Sequence, residues 1–191
     1  MKQLILICCL LLLSACSTRQ VVGNLSGSTE QRLVTYSVEK LIASLPQDDF
    51  AGLTGQKVFV KSHFIKKDEV LEYAHQMLQL ELMRRFGLNL VSESSEAMTE
   101  LHFFYTSLGT DTDTYGLTIP LVNLSDTSQS SQIDILAVDM YHGISEFMYY
   151  IKDNQRNQIT KKRKILSRVK TDKFSTPILS FPLSDLDENE E

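Results

Sequence analysis

Few residues in this chain have the type and spacing to do chemistry. Cysteines stand at positions 8, 9 and 16. Cys8 and Cys9 lie inside an unbroken apolar run, residues 4–13, whereas Cys16 follows the small pair Ser14-Ala15. A thiolate is a strong nucleophile and a soft metal ligand, so Cys16 is the first position to weigh. His63, His75, His102 and His142 share no His-x-x-x-His or His-Glu-x-x-His spacing, and zinc has no support. There is no Gly-x-Ser-x-Gly elbow and no Ser-x-x-Lys at a helix start. Gly109 and Gly116 fit no phosphate-cradling loop. Asp111 and Asp113 could offer oxygen ligands to calcium, but the third Asp or Asn and the closing Glu of a calcium loop are missing. An acidic turn needs no metal, because Asp and Thr bond locally to backbone. The residues therefore predict neither enzyme, metal nor cofactor.

Charge narrows the partners. The chain of 191 residues carries 19 Lys and Arg against 24 Asp and Glu, a net charge of −5 that gives no reason to expect nucleic acid. Nine bases stand against two acids between positions 152 and 173, with Lys161, Lys162, Arg163 and Lys164 in one block. The last seven residues hold five acids and no base. Either these segments neutralise one another, the preferred reading, or the basic block meets an anionic partner such as a lipid headgroup.

The start of the chain has the three parts of a secretory signal: Lys2, the apolar run and a small-residue cleavage site. Ten apolar residues are too few to cross a bilayer. Leu13-Ser14-Ala15-Cys16 resembles the lipobox of bacterial lipoproteins. The resemblance implies cleavage before Cys16, a diacylglyceryl group on its sulfur and an acylated amine. Several acyl chains anchor stably where one does not. Ser17, rather than Asp, after the cysteine implies the outer membrane of a Gram-negative cell. With Cys8 and Cys9 removed and Cys16 committed to lipid, no disulfide or thiol catalysis is left.

Behind the leader, residues 17–27 are polar and aperiodic and read as a flexible tether. Ser28 and Gln31 have the spacing of a capping box. Val34, Val38, Leu41, Ile42 and Leu45 predict a helix over 29–44, ended by Pro46. Residues 57–61 read as a strand. Val70, Leu71, Ala74, Met77, Leu78 and Leu82 predict a second helix over 68–86, with Gly87 as its cap and Glu81 paired to Arg85. His75 falls off that stripe and reads as solvated. A strand over 88–91 completes a βαβ unit with parallel strands. Residues 101–108 predict a central strand, with His102 at its end. Residues 109–131, rich in Asp, Thr and Ser but broken by an apolar stretch over 117–124, read as a long surface excursion with one short edge strand, and as an interaction loop. Residues 133–141 and 144–151, joined at His142-Gly143, read as a hairpin, and 159–169 as either an edge strand or an amphipathic helix.

The order resembles the small α/β domain of penicillin-binding-protein activator lipoproteins, the curli-secretion lipoprotein and the N-terminal domain of TolB. It is also similar to a group of uncharacterised bacterial outer-membrane lipoproteins, through Leu45-Pro46, Val58-Phe59-Val60 and Leu108-Gly109-Thr110-Asp111. In the better-known relatives such domains mediate protein contacts. The expectation is thus an α/β (α+β) fold: one small mixed sheet, a βαβ unit, an N-terminal helix and a C-terminal β-hairpin. Its divisions are a signal peptide over 1–15, a lipidated tether over 16–27, a periplasmic domain over 28–170 and an acidic tail over 171–191. The expected role is a non-enzymatic envelope lipoprotein, held by Cys16 to the membrane and bound to another envelope protein. The alternatives are an envelope hydrolase assembled from residues such as Asp111, Asp113 and His102, or a small-ligand or lipid carrier.

Overall fold

The computed structural model describes residues 18–20, 27–66, 69–122, 130–176 and 178–184, and side chains over 27–66, 69–117, 135–176 and 178–184. The fold is mixed α/β around one mixed sheet. In chain order its elements are β1 (Thr18–Gln20), α1 (Ser28–Ala43), β2 (Lys57–His63), α2 (Glu69–Phe86), β3 (Asn89–Val91), β4 (Thr99–Val122), β5 (Ser130–Asp153), β6 (Gln158–Lys161), β7 (Ile165–Ser175) and β8 (Ser180–Ser184). Three single 3-10 turns, at Gln47–Asp49, Ala51–Leu53 and Ser94–Glu96, join them. The strand order is β3-β2-β4-β5-β7-β8, with β1 on β4 and β6 on β5. The chain clusters into two compact units, one of residues 25–110 and 143–169 and the other of the remainder.

The larger unit is backed by helices. Leu33, Val34, Ser37, Val38, Leu41 and Ile42 recur on one face of α1 and are buried. Ala74, Leu78, Leu82 and Phe86 do the same on α2 at a strict spacing of four. Both stripes close over Val58, Val60, Leu101, Phe103, Phe147 and Tyr149 of β2, β4 and β5. Rings fill the middle: Phe103 lies 5.2 Å from both Phe147 and Tyr149, and Phe50 stacks between Phe86 and Tyr149. β2 and β3 are parallel, in register from Lys57↔Asn89 to Phe59↔Val91, as a βαβ crossover requires. Gly87 adopts φ +65° and its amide returns to the Met83 carbonyl, ending α2.

Two local expectations shift. The cap of α1 is Gly27, one residue early: its amide donates to Glu30 Oε2 at 2.7 Å, and a glycine has no side chain to return the second bond of a capping box. Glu81 pairs with Arg84 at 2.7 Å, not with Arg85. Arg85 is drawn away by the end of α1, where it donates to the Ala43 and Leu45 carbonyls that have no helical partner.

Three larger expectations fail. Residues 109–122 are not an excursion but the second half of β4. Their polar composition does not prevent a strand, because neighbouring strands satisfy their backbone groups. No turn forms at His142-Gly143, which lie inside β5. Gly143 is there for close approach, since a Cβ would sit 2.1 Å from the Leu33 carbonyl oxygen of α1. The hairpin turn falls later, between β5 and β6, where Asp153 Oδ1 accepts the Gln155 and Arg156 amides and Asn157 takes φ 49°. Residues 159–169 divide between two strands rather than forming one element.

The smaller unit is a ribbon. Its described part comprises β1, residues 111–122 of β4, 130–142 of β5, the end of β7, and β8. β1 pairs antiparallel with β4, from Thr18↔Thr114 to Gln20↔Thr112, so part of the expected flexible tether is strand. β7 and β8 are antiparallel, with Phe174 and Phe181 rings 5.0 Å apart. Among the described residues, Ala137 is its one buried hydrophobic side chain. Residues 171–175 and 180–184, expected as tail, are likewise strand, while 185–191 lie outside the described residues.

Candidate functional site

The helices cover one face of the sheet in the larger unit, and the other face collects the side chains that could act. Alternation along β2 and β4 sends Val58, Val60, Leu101 and Phe103 into the core, so His63, Glu100, His102 and Phe104 point the opposite way. The parallel register sets Lys61 beside His102 and His63 beside Phe104. Histidines 39 positions apart in sequence thus become neighbours.

A hydrogen-bonded chain results. His102 Nε2 lies 3.0 Å from Glu100 Oε2, and His63 Nε2 lies 3.2 Å from His102 Nδ1. A carboxylate only accepts, so His102 donates through Nε2 and accepts at Nδ1 from His63 Nε2–H while both rings are neutral. Glu100 Oε1 also accepts from Ser94 Oγ and Lys152 Nζ, each at 2.9 Å. Burial alone would raise the Glu100 carboxyl. Hydrogen bonds from Lys152, Ser94, His102 and Asn154 outweigh it and hold the group at about 2. His63 moves below the ordinary imidazole value, through burial first and then the nearby His102 and Lys61 charges.

Rings surround this chain. His63 stacks on Phe104 at 4.3 Å and 7°, and Tyr150 meets Phe104 edge-on at 5.6 Å. Phe104 is 39% exposed, so the array has an apolar surface open to solvent. Its polar groups are held in fixed positions, and the Ser94 hydroxyl donates to Glu100. Imidazoles beside aromatic faces can recognise a partner by stacking and hydrogen bonding.

The basic block is largely accounted for locally. Lys162 reaches Asp49 Oδ1 at 2.9 Å and Lys164 reaches Glu146 Oε1 at 2.7 Å. Asp49 also accepts the Tyr149 hydroxyl, and Glu146 accepts Thr106 Oγ1. Burial opposes ionisation of both acids, yet these bonds lower them. Lys161 and Arg163 are exposed. The described acidic partners of the block are therefore Asp49 and Glu146; the terminal acids lie outside the described residues.

His75 departs from the solvated position expected for it. Its Nδ1 lies 2.9 Å from Ser62 Oγ, and burial lowers its proton affinity. The pair lines an open groove of about 550 Å³ with Val60, Lys61, Glu69, Leu71 and Glu72. His142 lies inside β5, away from a strand end, with its Nδ1 buried.

Asp111 and Asp113 stand on β4 in the ribbon, two positions apart on one strand face, not in a glycine-flanked loop. His102 belongs to the other unit, so the structure does not group these three in one compact body. Among the described residues, no group of three or more His, Cys, Asp or Glu could hold a metal ion. Leu13, Ser14, Ala15 and Cys16 lie outside the described residues.

The sequence reasoning missed the Glu100–His102–His63 chain. A carboxylate and an imidazole alternating in a strand, Glu100 and His102, were the available signal, but only strand register supplies the third member. No protein-family model matches the sequence, and no curated protein matches it.

Proposed function

We propose that this is a non-enzymatic outer-membrane lipoprotein, anchored by acyl chains on Cys16 and facing the periplasm. Its helix-backed unit binds another envelope protein through the sheet face that carries His63, Phe104 and Tyr150. The observation carrying the reading is that face: aromatic and imidazole rings sit on a sheet with a fully packed core behind it, with Phe104 exposed. Rigid support keeps the ordering entropy of binding small. The leader motif supplies the address.

A photo-crosslinking amino acid at Phe104, in intact cells, tests it. Adducts to one envelope protein are expected from position 104 and not from Leu80, which is exposed on α2. Cys16→Ser should abolish them. Equal, diffuse labelling from both positions would remove the proposal.

A second reading rests on the Ser62–His75 contact in its open groove, a nucleophile and base at hydrogen-bonding distance. It requires hydrolysis of an activated ester to disappear in both Ser62→Ala and His75→Gln. Unchanged turnover in either removes it.

A further inference from the structure

The ribbon unit has an apolar face whose position in the chain indicates what covers it. Thr114 Oγ1 donates to Asp139 at 2.8 Å, and Gly116 packs directly on Ala137, where a Cβ would stand 2.6 Å from the Ala137 Cα. β4 and β5 are neighbours in the sheet, and here Thr114 reaches Asp139 while Gly116 meets the backbone of Leu136 and Ala137. Leu136 thus lies beside Gly116, whose chain neighbours are Tyr115 and Leu117. Tyr115, Leu117 and Leu136 are each about half exposed. Single exposed apolar residues are ordinary, but three close together form a patch.

β1 runs antiparallel to β4 with Thr18 opposite Thr114, the residue before Tyr115. Cys16 is two residues before Thr18. Two peptide units reach at most about 7 Å. The sulfur that would bear lipid is therefore joined through two peptide units to the strand residue that pairs with Thr114.

We propose that this face, Tyr115, Leu117 and Leu136, rests in the interfacial layer of the bilayer that receives the acyl chains of Cys16. This rests on the lipid-anchor reading above. Tyrosine suits that depth because its ring is apolar and its hydroxyl reaches water. Two or three half-buried side chains add to the acyl anchor and fix the orientation of the ribbon. The lipid thus positions the protein as well as retaining it.

The chain contains no tryptophan, so single-tryptophan variants report without background. Tyr115→Trp, Leu117→Trp and Leu136→Trp are prepared in the lipidated full-length protein, with Ile159→Trp, exposed in the helix-backed unit, as reference. Each is placed in phosphatidylethanolamine–phosphatidylglycerol vesicles whose acyl chains carry bromine near the headgroup. Emission from the three ribbon positions should fall at least twofold more than from Ile159→Trp, with a shift to the blue. Tyr115→Trp keeps an aromatic ring and serves where a leucine position fails to fold. Intact mass separates the two failures. An acylated, vesicle-bound protein quenched equally at all positions overturns this inference alone. A chain without acyl groups overturns the anchor reading, and the inference with it.

Discussion

The two units of this molecule use the same sheet chemistry to different ends. In the helix-backed unit, α1 and α2 bury one face of the strands, and its core cluster includes nineteen residues from Val34 to Ile165. In the ribbon, strand pairing holds extended segments whose described side chains include one buried hydrophobic, Ala137. Backbone hydrogen bonds contribute only about 1 kcal/mol each net, whereas a buried leucine or phenylalanine contributes roughly 1.5–3 kcal/mol. Stability is therefore concentrated in one unit, while exposed large hydrophobic side chains occur in both.

The sharpest way to break that comparison is to remove a core ring. Phe50→Ala, at a position with no exposure between Phe86 and Tyr149, should cost about 3–5 kcal/mol in urea unfolding. Leu117→Ala in the ribbon should stay within about 0.5 kcal/mol in the unanchored Cys16→Ser background. Comparable losses at both positions would contradict the asymmetry.

Glu100→Gln comes next. It leaves Lys152 with a weakened partner and should cost roughly 2–3 kcal/mol. Because the folded carboxyl lies near 2, below its unfolded value of 4.5, Glu100 stabilises fully above pH 4.5 and loses that contribution as pH falls toward 2. The variant should flatten this acid limb, read by thermal melts across the same interval.

Gly143→Ala tests the close approach of β5 to α1. Forcing a methyl against the Leu33 carbonyl should cost about 1–3 kcal/mol and lower the urea midpoint.

The smallest effect is a pH drift. His63 and His75 both bind protons less readily folded than unfolded. The unfolded chain therefore takes up more protons once pH drops below about 6.5, and stability declines from there until the folded rings titrate. A melting temperature that stays flat between pH 7 and 5 in the parent chain, or a slope unchanged in the double variant His63→Gln with His75→Gln, would contradict this.

Much of the helix-backed unit was legible because its signals are local. The stripes of α1 and α2, the stop at Gly87 and the apolar strands around Val58 and Leu101 repeat within one or two turns of their own element. The ribbon was not legible. Asp111, Thr112 and Asp113 have the composition of a loop, and they are strand because β1 and β5 lie alongside. His142-Gly143 has the composition of a turn, yet the glycine is consumed by contact with α1. The candidate site was hidden for a related reason: His63 and His102 meet only through the β2–β4 register, which no short window contains.

By itself the sequence determined an α/β body, its two helices and the βαβ crossover. It also supplied the leader motif ending at Cys16, from which the proposed address is read. Only the tertiary structure decided that β4 and β5 continue through the polar segment, that Lys162 and Lys164 are matched by Asp49 and Glu146, and that a carboxylate and two imidazoles form one chain. The physical reason is range. Helical periodicity and caps are set by neighbours a few residues away, whereas pairing of strands, and every charge or ring they bring together, is set by partners tens of residues distant.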